Sequence, residues 1–325
     1  MAELSTGEEH FKHSGGVIKL TRPRQAKASG PVNLEAVEIS AIALSMENAL
    51  PQIFDRKIYL ERQASASAEI QGLLFQHVAN DLDERLSVIN HQFANVLLIA
   101  PEAEPFSKHL KMSGKCGAIT WAKPTISDTL HLQPLHFDAI FHLMDLHCVN
   151  DIPGQLSQCA AALKPDGLFM ACFFAGETLN ELRQAWLAAE SELRSGVSLR
   201  IAPMVGLREL GGLLQRAGLA LPVSDVETLV LRYAEPLKFL HEIKAAGLSN
   251  PLADRSKKLT SPQMLATLAQ HYIENFSDTD GRIRATIEIA WALAWKPHPA
   301  QQKPLKPGSA ALKLEDALAK FKDQT

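Results

Sequence analysis

The chain has 325 residues, 46% of them hydrophobic, which suffices for one large buried core or two small ones. Its formal charge of −3 excludes the strongly basic face needed to displace counterions from phosphates, so no nucleic-acid partner is expected. No run of about 18 apolar residues is present, which leaves no candidate for a transmembrane helix.

Residues 1–48 mix charge, Gly and Pro without periodicity, as in Ser14-Gly15-Gly16, Arg22-Pro23-Arg24 and Ser29-Gly30-Pro31, and read as a mobile arm. Its basic cluster, Lys19, Arg22, Arg24 and Lys27, reads as a solvated tail. Glu3, Glu8 and Glu9, with no apolar run behind them, argue against a secretory signal and an Arg-rich transit peptide. Cys116, Cys148, Cys159 and Cys172 have no CxxC spacing, so neither a disulfide framework nor a zinc knuckle is expected. The expectation is a reducing, cytoplasmic setting.

A domain over 49–298 follows. Phe54-Asp55-Arg56-Lys57 leads into a helix, and Ala68 to Leu86 carries a second, with Ile70, Leu73, Leu74, Val78 and Leu82 read as its apolar face. Val96 to Ala100 is a short apolar run with polar flanks, the pattern of a strand buried on both faces of a parallel sheet. The remaining elements are a helix at Phe106–Met112, strands at Gly117–Trp121 and Phe137–Leu143, a helix at Pro153–Leu163, a strand at Leu168–Phe174 and a helix at Thr178–Ser195. In the turn Lys164-Pro165-Asp166-Gly167, Pro restricts φ and Gly is read as supplying the positive φ. A helix at Leu207–Ala217 stops at Gly218, and a strand-like stretch covers Glu227–Tyr233. Helices at Pro236–Ala246 and Pro262–Phe276 precede Ile283–Lys296, which is apolar on both parities and reads as a buried strand or a helix. Residues 299–325 read as a Pro- and Lys-rich linker and a last amphipathic helix at Leu312–Lys322. Strands alternating with helices imply right-handed βαβ units, hence an α/β, doubly wound open sheet with helices on both faces.

Several motifs together resemble the class I S-adenosylmethionine-dependent methyltransferases, a Rossmann-like fold. Within them they resemble the group of biotin-pathway malonyl-carrier-protein O-methyltransferases and mitochondrial complex I assembly factors. Phe54-Asp55-Arg56, Phe137-Asp138-Ala139-Ile140, Leu146 to Asp151 and Leu163 to Gly167 carry the group likeness, with Phe137–Ile140 looking like its fourth strand. Thr178 to Arg183, Arg200-Ile201-Ala202-Pro203, Leu210 to Gly218 and Pro307 to Ala310 look like the assembly-factor branch. The resemblance implies S-adenosylmethionine as cofactor and a protein substrate or assembly partner, modified or matured in complex I assembly.

The cofactor loop departs from that pattern. The family's first strand runs into an acidic residue and a Gly-rich turn, because bare backbone must approach the ligand at positive φ. This chain has Leu98 in place of the acid, Ala100 and Glu102 in place of two glycines, Pro101 between them and Glu104 at the third. Trp121-Ala122-Lys123-Pro124 lacks the acid that holds the ribose. Ala100, Glu102, Trp121, which could stack on adenine, and Asp128, where the family carries an acid near the adenine, are the cofactor-binding candidates. The alternative is a catalytically inactive module that kept the fold and abandoned the cofactor.

At the end of the Phe137–Leu143 strand, Asp145 and His147 are the catalytic candidates, an acid/base pair in which the carboxylate orients the imidazole. The plainer alternative has His147 bonded to loop backbone. His142, Asp145, His147 and Cys148 have no common zinc spacing, so no metal is expected. Arg183, Arg200 and Arg216 either bind a partner's carboxylates or pair with Glu181, Glu190 and Glu209.

Overall fold

The computed structural model describes residues 52–194 and 196–301. The arm at 1–48, the helix at Leu312–Lys322 and most of the linker lie outside these residues. Asp55 opens the first helix, α1 (Arg56–Ala64), by accepting a hydrogen bond from the Ile58 amide at 3.1 Å, which satisfies a donor left free at a helix start. There follow α2 (Ala68–Ser87), β1 (Phe93–Ile99), α3 (Phe106–Met112), β2 (Cys116–Ala122), β3 (Phe137–Leu143), α4 (Ile152–Ala162) and β4 (Leu163–Phe174). The second half contributes α5 (Asn180–Leu193), α6 (Leu207–Arg216), β5 (Ala220–Tyr233), α7 (Pro236–Ala245), α8 (Pro262–Phe276) and β6 (Ile283–Trp295).

The strands form one sheet in the order β2-β1-β3-β4-β6-β5. The first four run parallel, and β6 is antiparallel to both β4 and β5. Alternate residues of each strand point to opposite faces, so two cores form. Val96, Leu98, Phe141 and Met170 meet α2, α5 and α8 on one face. Leu97, Ile99, Ile140 and Phe169 meet α4 and α6 on the other. This is the α/β sheet with helices on both faces. Flanked on both sides, Ile283–Trp295 is a strand and not a helix, and Trp291 is buried in it.

Four details differ from the sequence reading. Residues 123–136 connect β2 to β3 without a strand or helix, so β2 is an edge and the strand likened to the family's fourth is the third here. The strand β5 begins at Ala220, seven positions before the apolar pattern is legible, because its pairing with β6 supplies what its own alternation does not. The buried face of α2 is Gln71, Phe75, Val78, Ala79, Leu82 and Leu86, while Leu73 is exposed. In the turn within β4 the positive φ of 63° falls on Asp166. Gly167 is needed for space instead, since a Cβ there would lie 2.8 Å from the Lys164 carbonyl oxygen.

Candidate functional site

The parallel strands end together at their carboxyl edge, where ligands bind in open α/β sheets. At the end of β3 the backbone turns through Met144, whose φ of 58° is costly for a residue with a Cβ, into a short helical turn at Leu146–Cys148. Two bonds hold that conformation. The Met144 amide donates to the Cys172 carbonyl on β4 at 2.7 Å, and the Tyr59 hydroxyl donates to the Met144 carbonyl at 3.2 Å.

The Phe54-Asp55-Arg56 motif now has a physical meaning. Asn150 clamps Phe54 by accepting from its amide at 2.7 Å and donating to its carbonyl at 3.1 Å. Asp55 caps α1 and pairs with Arg255 at 3.0 Å. Arg56 reaches under the β3 loop and grips Asp145 with both terminal nitrogens, at 2.8 and 3.2 Å, while donating also to the Thr125 carbonyl at 3.0 Å. Both side chains of this pair are 2% exposed, so neither charge has water to fall back on. Burial is the largest single effect and would raise the Asp145 pKa, but the charge and hydrogen bonds of Arg56 together with those of His142 outweigh it and hold the carboxyl well below the usual carboxylate range.

This arrangement corrects the expected Asp145–His147 pair. Asp145 is taken by Arg56, with His142 Nε2 at 3.5 Å, and makes no hydrogen bond to His147 among the described residues. The backbone-bonded alternative for His147 is not met either. Neither ring nitrogen has a partner among the described residues, although the side chain is buried. Its ring lies edge-on to Phe174 at 4.9 Å and to Tyr59 at 5.9 Å. Burial lowers its pKa to about 4, against the pull of Asp145, so the imidazole is neutral at pH 7. Burial likewise pushes the Cys148 thiol well up, which fits an inert filler rather than a nucleophile.

His147 is among the residues that line a cavity of about 380 Å³. It lies between α1, α2, the ends of β3 and β4, β5 and α7, and its walls include Tyr59, Leu74, Phe174, Met204, Leu229 and Phe239. Ile70, Leu73 and Leu74, assigned from sequence to the core face of α2, also line this cavity. Arg200 stands at its wall but is spent on Glu190, at 2.6 and 2.8 Å, and stacks over Trp186 at 4.7 Å. Among the described residues the Arg183 side chain reaches only the Thr178 carbonyl, at 3.4 Å.

The cofactor candidates lie along the same edge, at the ends of β1 and β2. Ala100 is fully buried, and its carbonyl accepts a hydrogen bond from the Trp121 indole nitrogen at 3.0 Å. Glu102 is exposed, with Lys123 Nζ at 3.7 Å. No residue from 100 to 104 has a positive φ, so the conformation that a Gly-rich loop adopts under a ligand is not found there. Asp128 lies in the β2–β3 connection, where one carboxylate oxygen is buried without a partner among the described residues and burial raises its pKa. At the two places where the resemblance implies cofactor contacts, the Ala100 carbonyl is bonded to the Trp121 indole, and Trp121-Ala122-Lys123 carries no acid for the ribose hydroxyls.

Sequence reasoning missed Arg56 as the partner of Asp145 and Tyr59 as the brace of Met144. The signal for the first was an Arg without an assigned role in the short opening motif. For the second there was none, because Tyr59 and Met144 meet only in the fold.

No family model matches the chain. It is 30% identical over 326 residues to the arginine-hydroxylase NDUFAF5, mitochondrial, of Mus musculus, an alignment covering 94% of this chain and 94% of the mouse protein. It is 32% identical over 159 residues to the malonyl-[acyl-carrier protein] O-methyltransferase of Halorhodospira halophila, covering 49% of this chain and 52% of that one. Apart from the mouse protein, the matched region spans about half the length of the relatives from Danio rerio, Rattus norvegicus and Homo sapiens that share the NDUFAF5 name. Among solved structures, the YcgJ protein of Bacillus subtilis superposes with a TM-score of 0.43 at 14% identity, covering 68% of this chain and 99% of that one. The relatives' names correct the cytoplasmic expectation, since the NDUFAF5 proteins are mitochondrial. Free cysteines signal reducing surroundings and not which compartment provides them.

Proposed function

The chain belongs to the methyltransferase-like family of the arginine-hydroxylase NDUFAF5, and from that premise we propose that it serves respiratory complex I maturation as a protein-binding module that transfers no methyl group. The observation that carries this reading is the altered end of β1, where the Trp121 indole donates to the Ala100 carbonyl and Glu102, with Lys123 near it, stands in place of a glycine. A methyl donor needs bare backbone there, and each Cβ placed where a turn requires positive φ costs on the order of 1 kcal/mol. The carboxylates of Glu102 and Glu104 would also repel the donor's own carboxylate.

Two further points support the reading. The name of the mouse relative describes a hydroxylation, a reaction that moves no methyl group. The motifs of the assembly branch in residues 178–218 are built into the structure away from the altered loop. Thr178 bonds the Glu288 backbone in both directions at 3.0 Å, and Arg200 is locked to Glu190. What this chain's residues do in the proposal is hold shape. Arg56 and Asp145 fix the β3 loop to α1, and Glu190 and Arg200 fix the segment after α5, so that a partner meets a rigid surface.

The test is calorimetric titration of the full chain with S-adenosylmethionine, together with complementation by the triple variant Ala100→Gly, Glu102→Gly, Glu104→Gly. No heat at millimolar ligand and full complementation of complex I assembly in cells lacking the protein are expected. Saturable binding near micromolar, with loss of complementation in the triple variant, would establish a methyltransferase instead.

A further inference from the structure

The sheet ends at β5, which among the described residues pairs with β6 alone. Along its other side, the backbone of residues 223–233 makes no hydrogen bond to another described segment. Unpaired N–H and C=O groups on a sheet edge are a template for a further strand, and folded chains blunt such edges with Pro, bulges and charge. In β5 only the first half is blunted. Pro222 removes a donor, the register with β6 shifts between Ala220 and Val223, and Asp225 and Glu227 carry charge. The next four residues, Thr228-Leu229-Val230-Leu231, have none of these devices, and Val230 and Leu231 are 51% and 41% exposed.

The unblunted stretch also stands past the end of β4. Phe174, the last residue of β4, pairs with Ile289, whereas β5 follows β6 on to Ile283. Residues 228–233 of β5 and 283–288 of β6 therefore continue as a ribbon of two strands, and Thr228, Val230 and Arg232 on one of its faces are exposed. A ribbon of two strands is marginal by itself and gains from further strands.

The side chains select which strand fits. A two-fold axis normal to the sheet sets a second β5 antiparallel to the first and keeps residues of one face together, so the axis passes through a single residue. With Val230 on the axis, Val230 meets its own copy, Leu229 meets Leu231, Thr228 meets Arg232 and Glu227 meets Tyr233. Within the pairing each aliphatic residue then opposes an aliphatic one, and each charge opposes a hydroxyl. An axis at Leu229 instead sets Glu227 against Leu231 and Arg232 against Val226, and an axis at Leu231 sets Glu227 against Glu235. We infer that a second copy of this chain pairs with the first through β5, antiparallel and with Val230 on the two-fold axis, joining the two sheets into one. The altered end of β1 lies toward the opposite edge of the sheet, so this pairing stands or falls independently of methyl-donor binding and of the assembly role.

The experiment is sedimentation equilibrium of the full chain at up to about 200 μM, with native mass spectrometry to identify mixed species. The native chain is expected to show a reversible monomer–dimer equilibrium. Val230→Lys and Val230→Glu each set like charges face to face and should weaken the dimer at least about tenfold. A one-to-one mixture of the two variants sets Lys against Glu and should form a dimer of one copy each, within about threefold of the native affinity. Val230 is half-exposed, so both variants keep the fold. Leu221→Lys, at an exposed position in the blunted half, should leave the equilibrium unchanged. A native chain that stays monomeric, a dimer unaffected by either charge at position 230, a mixture no tighter than its components, or a dimer weakened equally by Leu221→Lys would each overturn the pairing.

Discussion

Along one edge of one sheet, the ends of β1 and β2 carry other residues than the glycines and acid of the cofactor pattern, while a cavity lies beyond β3 and β4. The first region is altered by local means: an indole nitrogen on a carbonyl, an exposed Glu with a Lys nearby, and no positive φ where a glycine turn would be. The second is kept open by distant ones, with α1, β5 and α7 standing as walls around a histidine that nothing satisfies among the described residues. The contrast teaches that a site in an α/β sheet is lost one strand at a time. Substitutions at a single loop alter that loop's end and leave its neighbour's framework intact, because each strand end is bounded by its own connection.

The two regions share one strut, the Arg56–Asp145 pair, and breaking it is the largest change expected. Asp145→Ala leaves the Arg56 charge buried and unpaired, so the chain should lose about 3–5 kcal/mol in urea unfolding at pH 7. The double variant Arg56→Met, Asp145→Leu should recover most of that. If the single variant loses under about 1 kcal/mol, the strut is not what holds the β3 loop.

A second prediction isolates the hollow side through pH. The folded pKa of His147, about 4, lies below its ordinary value of about 6.5, so between these values the unfolded chain takes up a proton that the folded chain refuses. Stability is therefore full above about pH 6.5 and falls by about 3 kcal/mol as the pH drops to about 4, because each tenfold difference in proton affinity between the two states is worth about 1.36 kcal/mol. Asp145, Arg56, His142, Tyr59 and Cys148 face the ring or lie beside it. Asp145, with its folded pKa depressed, loses its own contribution only below the carboxylate range, so the window from about 6.5 to about 4 is clear of it. Unfolding titrations of the native chain and of His147→Leu should differ in slope across that window and coincide above it; parallel slopes would place a partner on the imidazole.

The smallest expected effect sharpens the comparison from the altered side. Trp121→Phe keeps the ring and removes the bond to the Ala100 carbonyl, at a cost of about 1 kcal/mol or less for a half-exposed residue. The pH slope that His147 sets between about 6.5 and about 4 should not change. A changed slope would mean the two regions are coupled through the sheet.

Much of this architecture is legible in the chain. Val96 to Ile99 reads as a doubly buried strand because all four residues are apolar, and Phe137–Leu143 is a strand over the range expected. The altered cofactor loop is equally legible, since Ala100, Pro101, Glu102 and Glu104 differ in kind from glycine wherever they are placed. Less of the site could be read. On α2 two apolar stripes overlap: Phe75, Val78, Ala79 and Leu82 enter the core, while Ile70, Leu73 and Leu74 turn to the cavity. Periodicity alone does not separate a stripe that meets protein from one that meets empty space. In the β4 turn, Asp tolerates a positive φ better than most residues with a Cβ, so the crowding around Gly167 could not be told from a conformational need.

The sequence by itself determined the alternation of strands and helices, the two-faced burial of the parallel strands and the loss of the glycine turn. These depend on side-chain chemistry acting over a few residues. Only the tertiary structure decided which partner Asp145 keeps, that β6 inserts antiparallel between β4 and β5, and that His147 is buried beside a cavity. Asp145 lies two residues from His147 and 89 from Arg56, yet it binds the arginine. A buried carboxylate is settled by the strongest cation the packed segments bring within reach, and chain separation does not enter that energy.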